Sequence, residues 1–264
     1  MSGRGRVAFV GAGPGDPELI TLKGLRRLRD ANVVVHDRLI PRALLGETSP
    51  GAEIIDVGKA PGRHCVTQRE ISGLIVDRAR RGGLTVRLKG GDPSIFARLG
   101  EEIAAVRAAG IAFEIVPGVT AATAAAACAG ISLTRRGSAS MVVLATGTDH
   151  TGQAPGLDWD LLARAGATLV LYMPRRSLDS ITGTLVALGR DPREPAIIAE
   201  RIGAVDERVV AGHLGDIAAT ASDAGVAAPT VLITGPTVEA ASVPSRLRRA
   251  LAAAEVGTLA GVER

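Results

Sequence analysis

Aromatic side chains are nearly absent: three Phe, one Tyr and one Trp make up 2% of the 264 residues. A core must therefore be assembled from Ala, Val, Leu and Ile. The 46% hydrophobic content supplies enough of them for one large domain or two small ones. The same scarcity removes the aromatic–basic stripe on which single-stranded nucleic acid stacks. Lysine is rarer still, with Lys23, Lys59 and Lys89 the only ones among 31 cationic residues. The net charge of +4 is small, and Asp and Glu are interspersed with the arginines. No basic stripe with strongly salt-dependent RNA affinity is concentrated anywhere, so a nucleic-acid partner is not expected.

The two cysteines, Cys65 and Cys128, have no metal-ligand spacing. They read as inert thiols in a reducing cytosol, with no metal expected. The apolar stretch after Arg4 and Arg6 is broken by glycines within a few residues. Neither a signal peptide nor a membrane span is expected, and the location expected is cytoplasmic.

What the chain does have begins at residues 7–24. Val7, Ala8, Phe9 and Val10 read as a buried strand, followed by Gly11-Ala12-Gly13-Pro14-Gly15. Asp16 is a good helix N-cap and Pro17 suits a first helical turn. The expected helix carries Leu19, Leu22, Leu25 and Leu28 on its apolar side. A dinucleotide fingerprint fails on spacing, because Asp16 stands where the third glycine belongs and a carboxylate there would meet a pyrophosphate. A tight turn needing flexible backbone is the alternative.

Further strands are expected at 32–36, 53–57, 85–88 and 112–116. A capping box at Thr67 and Glu70 starts a helix through Arg80, a helix carrying Ile103, Val106 and Arg107 ends at Gly110, and an alanine-rich helix covers 120–130. This alternation predicts a mostly parallel sheet with helices on both faces. Special loops then fall together at the strand C-terminal ends: 11–16, Asp37, Lys59, 90–92 and 117–120. Residues 133–140 read as a polar linker. Beyond it come strands at 141–145, 168–172, 196–200 and 230–234, an extended 208–211, and helices at 158–164, 177–188 and near 214–224. An Ala/Arg/Leu-rich terminal helix is expected from Val243.

The stretches VGAGPGDPELITLKG (10–24), VVHDRLI (34–40), VGK (57–59), VRLKGGDPSIF (86–96), EEI (101–103), VPGVTAATAAAACAGISLTRR (116–136), TLVLYM (168–173) and ERVVAGHL (207–214) occur in this order. Together they resemble the tetrapyrrole (corrin/porphyrin) methylase family over nearly the whole chain. The resemblance implies a two-domain α/β fold, with a mostly parallel sheet in residues 1–136, a mixed sheet in 137–245, a tail at 246–264 and the active site in the cleft between the domains. It also implies a homodimer, a small-molecule tetrapyrrole substrate and S-adenosylmethionine as methyl donor. Within the family it runs to members that methylate uroporphyrinogen III at C-2 and C-7, giving precorrin-2 and two S-adenosylhomocysteine. A later acceptor such as precorrin-4 is the alternative, and an rRNA-directed relative a more distant one.

Donor contacts implied by the resemblance are Pro14, Gly90, Gly91, Asp92, Ile95, Thr120, Ala121, Met173, Ile202 and Thr230. At Ile202 relatives often carry glycine, and at Thr230 often alanine. Asp37 matches the proton acceptor, or else is a helix or turn cap for residues 39–45. Lys59 matches the proton donor, or is a solvated loop lysine. Arg38, Arg98 and Arg136 match substrate-binding arginines, suited to an acceptor with eight carboxylates because a guanidinium binds carboxylate bidentately. Arg98 is also a candidate for assisting proton removal. Glu101 and Met173 match substrate contacts, while Glu101 doubles as a first-turn helix acid and Asp92 as a turn cap. The chain departs from the family pattern at Ala97, Leu99 and Arg135. It departs again at Thr148, with His150 two places on, and at Pro174.

Overall fold

The computed structural model describes residues 5–58, 66–149 and 151–238, so Lys59, Cys65, His150 and the expected terminal helix lie outside it. Strands β1 (Arg6–Gly11), β2 (Val33–His36), β3 (Glu53–Asp56), β4 (Leu84–Lys89) and β5 (Ala112–Val116) form one sheet in the order β3-β2-β4-β1-β5. Every neighbouring pair in it is parallel. A strand crossed by helices on both sides is buried on both faces and reads as a continuous apolar run, which is why residues 7–10 show no alternation. Ala8, Val10, Val34, Val86 and Leu88 pack with Leu28 of α1 (Leu22–Arg29) and Leu44 of α2 (Arg42–Gly46). Val7, Phe9, Val33 and Val35 pack on the opposite face. Their partners are Ile71, Ile75 and Ala79 of α3 (Gln68–Arg80) and Leu99 and Val106 of α4 (Leu99–Ala108). Phe9 and Phe113 meet edge to face in this layer, with ring centroids 6.0 Å apart.

The helix expected from Pro17 is in fact two pieces. Asp16 accepts from the Glu18 amide and Pro17 opens a single 3-10 turn, but Ile20 is extended and Thr21 caps a new helix by accepting from the Gly24 amide at 3.1 Å. This restart turns Leu22 outward at 74% exposure while Leu28 is fully buried. The capping box of α3 is present in both directions, Glu70 N–H to Thr67 Oγ1 and Thr67 N–H to Glu70 Oε2.

Beyond α5 (Ala121–Ala129), β6 (Val142–Thr146), β7 (Thr168–Tyr172), β8 (Pro195–Glu200), β9 (Arg208–His213) and β10 (Thr230–Thr234) form a second sheet in the order β6-β7-β10-β8-β9. Only β6 and β7 are parallel; the other three pairings are antiparallel, so the sheet is mixed. Helices α6 (Trp159–Arg164), α7 (Leu178–Ala187) and α8 (Ile217–Asp223) accompany it. Leu178, Ile181 and Leu185 of α7 and Ile217 of α8 bury Leu169, Leu171, Ile198 and Leu232 of the strands. Residues 133–140, expected to be unpatterned, contain a turn closed by paired backbone bonds between Arg135 and Ala139, with Gly137 at φ +84°. The chain divides into two units between Ala124 and Ala125, within α5, and Ile202–Asp206 returns to the first unit.

The split helix predicts contrasting costs for two leucines three turns of sequence pattern would treat alike. Leu28→Ala is expected to lose about 2–5 kcal/mol in urea unfolding followed by circular dichroism. Leu22→Ala is expected to stay within about 0.5 kcal/mol of wild type.

Candidate active site

Because β1–β5 are parallel, the loops that follow them leave from one edge of the first sheet. These loops hold 11–16, Asp37, 57–58, 90–92 and 117–120. Three of them touch through backbone alone. Gly13 N–H donates to Gly91 O at 3.3 Å and Gly91 N–H to Gly13 O at 2.7 Å. A Cβ on Gly11 would stand 2.6 Å from Gly91 O and 2.7 Å from Gly118 Cα, and one on Gly118 would stand 2.3 Å from Gly91 O. No side chain fits there. Gly15 packs in the same way against the carbonyl of Ile202, which is buried. Gly90 differs: a Cβ there meets no atom within 4 Å, and its neighbour Gly91 holds φ +66°.

Asp92 ties two of these loops together. Its Oδ2 accepts from Gly118 N–H at 2.9 Å, and its Oδ1 accepts from Ser94 N–H at 2.8 Å and from the Ser94 hydroxyl. The turn-capping role considered for it is therefore real, and it extends to the loop after β5. Burial works against ionisation of this carboxyl, but the Ser94 hydroxyl and the Gly118 and Ser94 amides outweigh it and hold its pKa below the ordinary aspartate value.

Asp37 follows β2 and does not cap a helix, since Pro41 occupies the N-cap of α2. Its carboxylate accepts from the guanidinium of Arg87, whose side chain is 2% exposed. Arg87 in turn donates from Nε to Glu102 Oε1 at 3.0 Å, and from Nη1 to the carbonyls of Leu88 at 3.2 Å and Val35 at 3.4 Å. Lys89 Nζ donates to Glu102 Oε2 at 2.8 Å, and Gln68 to Glu102 Oε1 at 3.0 Å. Two cations thus face two carboxylates inside the layer under α3 and α4. Burial, and next the adjacent Arg87 charge, push the Lys89 ammonium below its ordinary pKa, while Glu102 pulls it back.

Arg98 and Glu101 are brought together with each other. Arg98, at φ +55° and half exposed, places Nε and Nη2 on the two Glu101 oxygens at 2.8 and 2.9 Å. The Glu101 hydrogen bond raises the pKa of the guanidinium, and the Arg98 hydrogen bond lowers that of the carboxyl. Arg38 is exposed beside Asp37, and Gly58 packs against its backbone. Lys59 lies outside the described residues. Pro14, Ile95, Thr120 and Ala121 are half-buried along the same loop edge.

In the second unit, Arg136 sits on the exposed turn closed by Arg135 and Ala139. Met173 adopts φ +56° after β7, donates from its amide to Thr230 O at 3.0 Å and accepts from the Thr148 hydroxyl at 3.0 Å. The departures at Thr148 and Pro174 thus belong to one local arrangement, because Gly147 packs against Pro174 Cα. Thr230 is 3% exposed, and its Oγ1 has no hydrogen-bond partner among the described residues.

Arg87, Lys89, Glu102 and Gln68 were not singled out from the sequence. The signal was present: two cations on alternate positions of a strand that is otherwise apolar require buried counter-charge.

Against known proteins, the model for Tetrapyrrole (Corrin/Porphyrin) Methylases matches residues 6–218. The chain belongs to this family. It is 45% identical over 240 residues to the S-adenosyl-L-methionine-dependent uroporphyrinogen III methyltransferase of Methanosarcina barkeri, covering 90% of this chain and 94% of that one. It is 46% identical over 235 residues to a siroheme synthase of Edwardsiella ictaluri, covering 89% of this chain but only 50% of that protein. Among solved structures, uroporphyrin-III C-methyl transferase from Thermus thermophilus complexed with S-adenyl homocysteine superposes with TM-score 0.75 at 41% identity, over 88% and 97% of the two chains. A cobalt precorrin-4 methyltransferase superposes with TM-score 0.79 at 29% identity, over 87% and 94%. The two sheets match the fold of these methylases.

Two outcomes follow from the buried charges. Glu102→Gln leaves Arg87 and Lys89 buried with one carboxylate between them and is expected to cost about 3–5 kcal/mol in denaturant unfolding. Asp92→Asn is expected to be less stable than wild type at neutral pH. A depressed carboxyl pKa gives stability that is present above the unfolded value and lost as pH falls through the folded one, so the gap narrows between about pH 5 and pH 3.

Proposed function

We propose that this methylase uses S-adenosylmethionine to methylate uroporphyrinogen III at C-2 and C-7, producing precorrin-2 for sirohaem, cobalamin or haem d1 synthesis. The observation that carries the proposal is the near-full-length identity to the M. barkeri methyltransferase. The siroheme synthases support the pathway, although this chain spans about half of their length. The residues present fit the donor. Gly90 offers backbone with open space beside it, Gly91 continues that backbone, and Thr230 offers a buried hydroxyl with no partner among the described residues. Pro14, Asp92, Ile95, Thr120, Ala121 and Ile202 complete the proposed donor contacts of the first unit, and Met173 joins Thr230 in the second.

When bound, the donor supplies a methyl group on a sulfonium, whose positive charge leaves the sulfur as the methyl moves. The pyrrole carbons of the acceptor are electron-rich, so what the protein contributes is alignment, which in favourable cases supplies roughly 7–11 kcal/mol of the barrier. Backbone of the glycine loops is suited to this, having little freedom to move once Gly11, Gly91 and Gly118 are in contact. Arg38 and Arg136 are exposed and are the proposed partners of the acceptor's carboxylates. Arg98 meets a substrate carboxylate by exchanging its present partner, Glu101, which then turns to the polar ring edge. Methylation leaves a proton on the macrocycle to be removed. Asp37, half-exposed at the sheet edge, is the proposed acceptor and Lys59 the proposed donor. The proposal includes a homodimer in the cytoplasm, supported by the family resemblance and the use of only two cysteines in 264 residues.

One observation favours a second acceptor: the TM-score with cobalt precorrin-4 methyltransferase, 0.79, is slightly higher than the 0.75 with the uroporphyrin-III methyl transferase. Mass spectrometry after incubation with S-adenosylmethionine and either enzymatically made uroporphyrinogen III or a panel of precorrins separates them. The expected result is a doubly methylated product from uroporphyrinogen III. Unmethylated macrocycle recovered alongside intact S-adenosylhomocysteine binding contradicts the assignment. Arg98→Lys keeps the charge and loses the fork, and is expected to lower kcat/KM about 10–100-fold.

A further inference from the structure

Arg87 has no role in the donor and acceptor contacts described above, yet it is among the largest fully buried side chains of the protein. Its guanidinium is held at three fixed acceptors. Nε meets a carboxylate that is itself fully buried, Glu102, and Nη1 meets the backbone of β4 and β2 through Leu88 O and Val35 O. Lys89 and Gln68 fix Glu102 in turn, so the fork cannot rotate without breaking several buried bonds. The remaining nitrogen, Nη2, emerges at the end of β2 and bonds Asp37 Oδ1. A planar fork with two sides anchored holds its last nitrogen, Nη2, in one position only. By contrast, Asp37 follows the last strand residue and its side chain is 37% exposed, with the Arg87 guanidinium holding its Oδ1.

We infer that Arg87 is a positioning residue for the methyl transfer, anchored by Glu102 and Lys89, and that it fixes the direction of the Asp37 carboxylate toward the acceptor. The inference rests on the proposed function and on Asp37 as proton acceptor. Arg87 touches neither donor nor acceptor. It acts only through Asp37, as an outer partner that orients a reacting group. The charge arrangement serves the same end: with Arg87 and Lys89 opposite Glu102 and Asp37, removal of Arg87 still leaves Glu102 paired with Lys89, so the layer retains a counter-charge.

The test is a double-mutant cycle on kcat with Arg87→Met, Asp37→Asn and the double variant. The KM for the acceptor and the affinity for S-adenosylhomocysteine are measured alongside. Arg87→Met alone is expected to lower kcat at least 10-fold while both binding constants stay within about 2-fold, and to add nothing in the Asp37→Asn background. Arg87→Lys, which keeps a cation against Glu102, serves where Arg87→Met folds poorly and is expected to retain fold and binding with reduced kcat. Losses that add in the double variant, a loss confined to KM, or unchanged kcat in the folded single variants overturns the inference. Turnover by wild type together with additive losses overturns it alone. Absence of wild-type turnover on every tetrapyrrole overturns the proposed function, and this inference with it.

Discussion

The first unit depends on a backbone contact that tolerates no side chain. Gly11 ends β1, Gly91 and Gly118 follow β4 and β5, and a Cβ on Gly11 or on Gly118 would collide with the carbonyl of Gly91. Their approach brings the loops after β1, β4 and β5 to one place and leaves Asp92 to bridge the last two by a hydrogen bond to the Gly118 amide. A ligand lying along such an edge meets peptide groups at fixed positions, and these need no reorganisation when it arrives. The open space beside Gly90 lies in the same loop as the tightest of these contacts. Rigidity and access are therefore neighbours in sequence.

A second constraint comes from charge. The layer between β4 and the α3–α4 pair is not purely apolar: Arg87, Lys89 and Glu102 are each nearly or fully buried within it. Burying one charge without a partner costs several kcal/mol, so Glu102, which faces both cations, is the member the set can least lose. That cost is set against a definite direction for the one member that reaches the surface, Asp37. The exposed pair Arg98–Glu101 is the opposite case. It is held by two hydrogen bonds in solvent, where such pairs contribute little, and so can be exchanged for a substrate carboxylate.

Much of this was legible in the chain. Residues 112–116, 168–172 and 230–234 are strands with the expected bounds, because apolar β-formers end there at Pro, Gly or Met. The capping box at Thr67 and the cap at Asp16 also lie where local chemistry puts them. The helix after Pro17 did not follow its leucine spacing, since Thr21 outcompetes the pattern and restarts the helix. The strand–helix alternation puts Asp37 at a strand end and the family resemblance singles out Arg98 and Glu101, but neither gives their partners. Glu101 three residues after Arg98 is a local pair and could have been read. Arg87 with Asp37, fifty residues apart, needs β2 and β4 to be neighbours, and that neighbourhood is a property of the folded sheet.

Where the methyl donor lies decides what this loop edge does. The most direct measurement is a crystal structure of the protein soaked with S-adenosylhomocysteine. It is expected to show the nucleoside against the backbone of Gly90, Gly91 and Asp92, with Thr120 and Ala121 beside it. Nucleoside density elsewhere on the protein, with this loop edge vacant, contradicts it.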